Sequence, residues 1–274
     1  MAEKQFNTAG PSRPDDHYML DPLQRIDVDE VLALIEAKRY FVLHAPRQTG
    51  KTTVLLALMQ HLNTHGRYRA LYANIETAQA ARGNVERGIQ AACSAIARSA
   101  QVYLGDARLD DWLLRGEGRA IEAEEKLSRL LAHWSQLDPA HPAVLLLDEV
   151  DALVGDTLIS LLRQIRAGYA QRPQAFPQTV VLCGVRDVRD YRIHSGGGDI
   201  ITGGSAFNIK AESLRLGNFS REETVACSQP DLRTVDRAGA WMQRSGINAN
   251  GMNACRATRT TEQVGSRTVG VWGM

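Results

Sequence analysis

The stretch that most narrows what this chain can fold into is YFVLHAPRQTGKTTVLLALMQHLNT, residues 40–64. YFVLHA (40–45) is a continuous apolar run, which suits a strand buried on both faces rather than one open to water. The next residues, PRQTG, break any period. From Lys51 the pattern is helical, with Val54, Leu55, Leu58, Met59 and Leu62 on one side, until Gly66 stops it. A strand that must be covered on both faces, followed at once by an amphipathic helix, demands layers of helix on either side of a sheet.

The rest of the chain repeats that alternation. Helical spacing is read over 27–38 (Val28, Val31, Leu32, Ile35), 84–100 and 121–136, and from a cap at Asp156 to about Tyr169. Strands are read at RALYANIE (69–76), AVLLLDEVD (143–151), TVVLCGV (179–185) and SLRL (213–216). The charged, Gly-punctuated segment 103–120 reads as a loop or insertion, and SGGGDIITGG (195–204) as a flexible loop. Strands alternating with helices predict an α/β fold, a three-layer αβα sandwich around a mostly parallel sheet. Its 274 residues, 44% of them hydrophobic, suffice for one such domain with a small appendage. Ligands of such sheets sit at the carboxyl ends of the strands.

The break between the first strand and its helix has the chemistry of a phosphate cradle. Ala45, Pro46, Arg47, Gln48, Thr49, Gly50, Lys51, Thr52 and Thr53 would surround the ligand. Backbone N–H groups must turn inward and approach phosphate oxygens closely, and Gly50 permits that conformation. The helix N-terminus adds donors and a positive dipole end. Lys51 can reach the terminal phosphates as a compact charge, and the Thr52 hydroxyl can ligate Mg²⁺. Arg47 and Gln48 fall at the tip of the loop.

About a hundred residues on, VLLLDEVD ends a strand in acids. Asp148 there can hold a Mg²⁺ shell, and Glu149 is placed to polarise a water for attack on a terminal phosphate. The pair suggests hydrolysis, whereas a kinase would need an acceptor site and a lid. Asp151 is assigned to the following loop or helix.

Bulk properties exclude several classes. The formal charge of +1 gives no reason to expect a nucleic-acid or membrane partner, although a local patch remains compatible with it. Cys93, Cys183, Cys227 and Cys255 make no CxxC pair, so free thiols in a reducing compartment are expected, not a disulfide framework or zinc site. The start, MAEKQFNTAG, has no signal-peptide core, and no apolar run is long enough to span a bilayer. A cytoplasmic location is the expectation.

Together, YFVLHAPRQTGKTT, LLLDEVDALVGD and VVLCGVRDVRDYR, in this order, resemble a bacterial P-loop ATPase of the AAA+-related group. More narrowly they resemble its origin-recognition/STAND-like branch, often labelled AAA-like. HYMLDPLQRIDVDEVLALI (17–35) is similar to that group's arm, and SAFNIKAESLRLGNFSREE (205–223) to its passage towards a helical lid. The resemblance implies ATP and Mg²⁺ as cofactors, with Ala45 an accepted replacement for the usual Gly. It implies a polar sensor near the γ-phosphate on the strand 179–185, for which Arg186 is the candidate, with Asp187 behind it. Arg163, Arg166 or Arg172 could serve a neighbouring subunit, and Tyr18, Leu20 and Leu23 could lie near the adenine. The partner implied is an unspecified protein or self-assembly. A nucleotide-dependent DNA-binding module is the alternative, but no basic face or winged helix is legible.

The chain thus divides into an arm (1–26), an ATPase core (27–223) and a tail (224–274). Ser220–Glu223 is a capping box that announces a lid helix. The tail instead carries Pro230, scattered glycines and aliphatic residues without period. Either the tail is naturally disordered, or the coding frame shifts near Thr224–Ser228 and replaces the lid. A missing or degraded lid predicts weakened nucleotide binding and slow hydrolysis.

Overall fold

Five strands of the computed structural model lie side by side and parallel in one sheet. They are β1 (Tyr40–His44), β2 (Arg69–Asn74), β3 (Ala143–Asp148), β4 (Thr179–Gly184) and, after the short antiparallel pair β5 (Arg192–His194) and β6 (Ile200–Thr202), β7 (Lys210–Arg215). The order across the sheet is β2-β3-β4-β1-β7. The described residues are 7, 10–187 and 212–217, with backbone alone at 192–194, 200–202, 210–211, 259–264 and 267–272. They divide into a larger unit, Val28–Ala45 with Leu55–Arg215, and a smaller one, Met1–Asp27 with Pro46–Val54 and Leu216–Met274.

In the larger unit the sheet is covered on both faces, because the middle positions of β1 to β4 are apolar and buried and successive side chains point to opposite sides. Tyr40, Val42, Leu71, Ala73, Leu145, Leu147, Val180 and Leu182 face one way. They meet α3 (Val85–Leu104), α4 (Arg108–Leu114), α5 (Ala123–Gln136) and α6 (Gly155–Ala167), whose apolar stripes close the core with Trp134 and Phe176 fully buried. The alternate residues Phe41, Leu43, Ala70, Val144, Leu146 and Val181 are buried on the other face. That side takes α1 (Val28–Glu36) and α2 (Lys51–Thr64), with Ile35, Leu55, Leu58 and Leu62 at 0–2% exposure. The edge strand β2 is blunted by Asn63 of α2, whose side-chain amide donates to Ala70 O at 3.0 Å and accepts from Ala70 N at 2.8 Å.

The three-layer α/β architecture with a parallel sheet is therefore the one expected, and α2 has the predicted bounds. Other elements differ. Residues 103–120 are not a loop: α3 runs to Leu104, Gly105 caps it at φ 65°, and α4 comes next. The cause is Leu109 and Leu113, spaced to share one helix face and both buried. Asp156 does not cap α6; Val154 holds that position and Asp156 lies in the first turn. β2 ends at Asn74, where Asn74 Oδ1 accepts from Glu76 N at 2.8 Å and turns the chain. Ile200–Thr202, read as part of a flexible loop, is a strand.

In the smaller unit, Pro22–Arg25 is a 3-10 turn with Pro22 at its start and Asp21 Oδ1 accepting from Leu23 N at 3.0 Å. Two further strands, β8 (Arg259–Val264) and β9 (Arg267–Trp272), pair antiparallel where no element was expected. The helix expected after Ser220–Glu223 lies outside the described residues, as do Cys227 and Cys255. Cys93 and Cys183 are free thiols and buried. Among the described residues no helix is long and apolar enough to cross a membrane.

Candidate functional site: a loop and an acid pair at strand ends

The loop after β1 is held by its own residues. Gly50 has φ 85° and Gln48 has φ 60°, left-handed conformations that cost a non-glycine residue energy. Gly50 is thus required where the sequence placed it, and the turn at Gln48 throws Pro46, Arg47 and Gln48 out to solvent. Gly50 O accepts the first helical bond of α2, from Val54 N at 3.0 Å. Pro46 O is a shared acceptor: Thr49 Oγ1 donates to it at 2.8 Å and Lys51 Nζ at 3.0 Å. Lys51 is only 5% exposed and Thr49 8%. The ammonium is thus folded back over the mouth of the helix, where the first-turn N–H groups have no helical acceptor of their own. Thr53 Oγ1 accepts from Ser12 N at 3.3 Å, which ties the arm to that turn.

In the larger unit, register fixes where the acids stand. Leu147 of β3 is opposite Leu182 of β4, and Leu182 is opposite Val42 of β1. Asp148 is therefore level with Cys183 and Leu43, near the carboxyl ends of all three strands. One strand separates β3 from β1, a spacing of about 10 Å. Ala45, the last residue before the loop, is buried on the same edge, its N–H donating to Gly184 O at 3.2 Å. Asp148 is fully buried. Its Oδ1 accepts from Glu149 N at 2.9 Å and its Oδ2 from the Tyr72 hydroxyl at 3.1 Å. Glu149 itself is left-handed, φ 58° and ψ 41°, and half-buried. That kink ends β3 and sends the chain into the turn Val150–Ala152. Asp151 in this turn accepts from Val185 N at 3.4 Å, so it braces the end of β4.

The remaining candidates separate. Arg186 is exposed just past β4, and Asp187 behind it is buried. Arg163 and Arg166 are exposed on α6. Arg172 is committed elsewhere: it donates to Tyr169 O and Lys38 O and lies 4.9 Å from the Tyr40 ring centroid. Tyr18, Leu20 and Leu23 are half-buried in the smaller unit. Two groups were missed by sequence reasoning. Tyr72 reads as one more apolar strand residue, and its phenol gains meaning only from the neighbouring strand. Arg25 reads as a solvated arm residue, yet it donates to Thr49 O of the loop and to Gly217 O.

No curated protein matches the chain in sequence. Among solved structures it is similar to Cdc6p from Pyrobaculum aerophilum, at 20% identity and TM-score 0.46 over 80% of this chain and 48% of that one. It is similar to the Aeropyrum pernix Orc1 protein in complex with DNA, at 16% and 0.49 over 81% and 54%. Domain III of the Thermotoga maritima replication initiation protein DnaA gives 15% and 0.43 over 88% and 95%. The chain thus spans about half the length of the first two. The family model described as an AAA domain matches residues 35–191, more than half of the sequence, and takes in the loop, β3 and its acid pair, and Arg186. On that match the chain belongs to the AAA domain family.

Proposed function

We propose that this chain binds ATP with Mg²⁺ at the loop after β1 and hydrolyses it, as a switch acting on a protein partner or on further copies of itself. The observation that carries the reading is the loop. A glycine with φ 85° stands at the mouth of a helix, and a lysine ammonium 5% exposed is folded over that mouth. Taken by residue type, the donors are those a magnesium triphosphate takes: an ammonium, loop backbone N–H groups and a helix N-terminus for the phosphates, and a hydroxyl and a carboxylate for a metal that keeps most of its own waters. Lys51 and the backbone of Pro46–Thr53 hold the phosphates, and Lys51 exchanges Pro46 O for phosphate oxygen. Thr52 and Asp148 hold the metal, which when bound neutralises charge developing on the transferred phosphoryl group. Glu149, in the left-handed kink that ends β3, takes a proton from the attacking water. Arg186 is the candidate to sense the terminal phosphate.

The test is equilibrium binding of a fluorescent ATP analogue, with Mg²⁺ and with chelator, to wild type, Lys51→Ala and Glu149→Gln, alongside phosphate release. Lys51→Ala should weaken binding by roughly tenfold or more, the loss of one charge-assisted contact. Glu149→Gln should bind as wild type and turn over about a hundredfold more slowly, or less. Wild-type affinity in Lys51→Ala would remove the loop from the account, and undiminished turnover in Glu149→Gln would remove the base.

A further inference from the structure

We infer that Arg25 is a positioning residue for the phosphate loop: its guanidinium sets the direction of the Gly50 N–H and couples it to the chain just beyond β7. The inference rests on the proposed nucleotide site and adds to it a residue outside the loop.

Arg25 ends the 3-10 turn Pro22–Arg25, where the Pro22 ring and the Asp21 cap leave little freedom in where the side chain starts. One terminal nitrogen, Nη1, donates to Thr49 O and the other, Nη2, to Gly217 O. Thr49 is buried at 8% exposure, and its hydroxyl is already spent on Pro46 O at 2.8 Å. Its carbonyl is therefore held from outside the loop while its side chain is held from within.

The peptide plane carries this restraint into the loop. Thr49 C=O and Gly50 N–H belong to one rigid trans peptide and point in opposite directions. Fixing the carbonyl on Arg25 fixes the amide on the other side. Gly50, at φ 85°, is the residue with the least conformational preference of its own in that conformation, so the orientation of its amide needs an external anchor. A cation on the carbonyl also polarises the peptide and makes the N–H a stronger donor to an anion. Because both prongs belong to one planar fork, moving Gly217 O moves the group that holds Thr49 O. Nucleotide on the loop and the position of the chain at Leu216–Gly217 are then linked, and linkage runs both ways. Lysine carries the same charge on one nitrogen and lacks the rigid fork that holds two carbonyls from two separate nitrogens.

The experiment compares wild type, Arg25→Lys and Arg25→Ala by titration with the fluorescent ATP analogue, and tracks amide hydrogen exchange of wild type and Arg25→Lys with and without ATP. Arg25→Lys should lose about tenfold in affinity, the scale of one hydrogen bond to a charged group, and Arg25→Ala at least as much. In wild type, ATP should slow exchange at Thr49–Lys51 and at Leu216–Gly217 together, and in Arg25→Lys it should slow only the first. Arg25→Lys binding as wild type, or wild-type protection at the loop with none at Leu216–Gly217, overturns the coupling while leaving the nucleotide site standing. Should the variants fail to fold, the wild-type exchange pattern decides alone. No binding by wild type overturns the site and the coupling together.

Discussion

Asp148 and Tyr72 show how one contact sets the chemistry of a buried carboxylate. Tyr72 is 4% exposed, and its ring meets that of Tyr103 edge-on at 5.8 Å, so the phenol has little room to turn. Its hydroxyl donates to the fully buried Asp148 at Oδ2, 3.1 Å away. Tyr72→Phe keeps the ring packing and removes only that donor. It should cost about 1.5–3 kcal/mol in urea unfolding, the range for a hydrogen bond to a charged group. It should also raise the Mg²⁺ concentration needed for half-maximal turnover, because the carboxylate loses its fixed direction, and leave nucleotide affinity in chelator unchanged. An unshifted Mg²⁺ dependence with an unchanged unfolding midpoint would leave Tyr72 as packing only.

Among the elements, α6 grips α5 through one amide. Gln164 is 5% exposed; its Nε2 donates to Ala123 O at 2.8 Å, and its Oε1 accepts from Leu127 N at 2.9 Å and Ser128 N at 3.2 Å. One side chain thus serves the first two turns of the neighbouring helix. Gln164→Leu has similar bulk and no polar atoms, and should destabilise by about 1–3 kcal/mol as those backbone groups lose their partner, read as a lowered urea midpoint with an unchanged slope. The helices themselves were legible from spacing: α2, α3 and α5 each carry an apolar stripe at the right period. α4 was not, because Asp106, Gly105 and the acids around Trp112 look like a loop until Leu109 and Leu113 are given a core to enter. Gln164 was equally silent, since a lone glutamine within an amphipathic helix reads as solvated until its neighbour is placed.

At the scale of the whole molecule, one face of the sheet and helices α3 to α6 of the larger unit form one continuous apolar cluster that includes Cys93 at the centre of α3. Burial pushes the Cys93 thiol up to about 12, so it carries almost no thiolate at neutral pH. In native protein Cys93 should resist a thiol-specific reagent and react at the rate of a free cysteine once urea unfolds the larger unit, in step with the loss of circular dichroism. Reaction well below the unfolding midpoint would mean that α3 opens on its own, outside the cooperative core. The strand order also belongs to this scale. Neighbours in sequence such as β1 and β2 are separated by two strands, and parallel register brings Asp148 level with Cys183 and Leu43.

By itself the sequence determined the local parts: the strand–loop–helix at Tyr40–Thr64, the glycine at the loop's left-handed turn, the strand that ends in Asp148 and Glu149, and the alternation that implies a parallel sheet. Those are written in periods and in residue types that suit one backbone conformation, and both are properties of short stretches. Only the tertiary structure decided which groups answer one another across the chain. Tyr72 on Asp148, Asp151 on Val185, Gln164 on α5 and Arg25 on Thr49 join residues far apart in sequence. A hydrogen bond needs a donor and an acceptor within about 3 Å, and no period or composition encodes which distant carbonyl will be there.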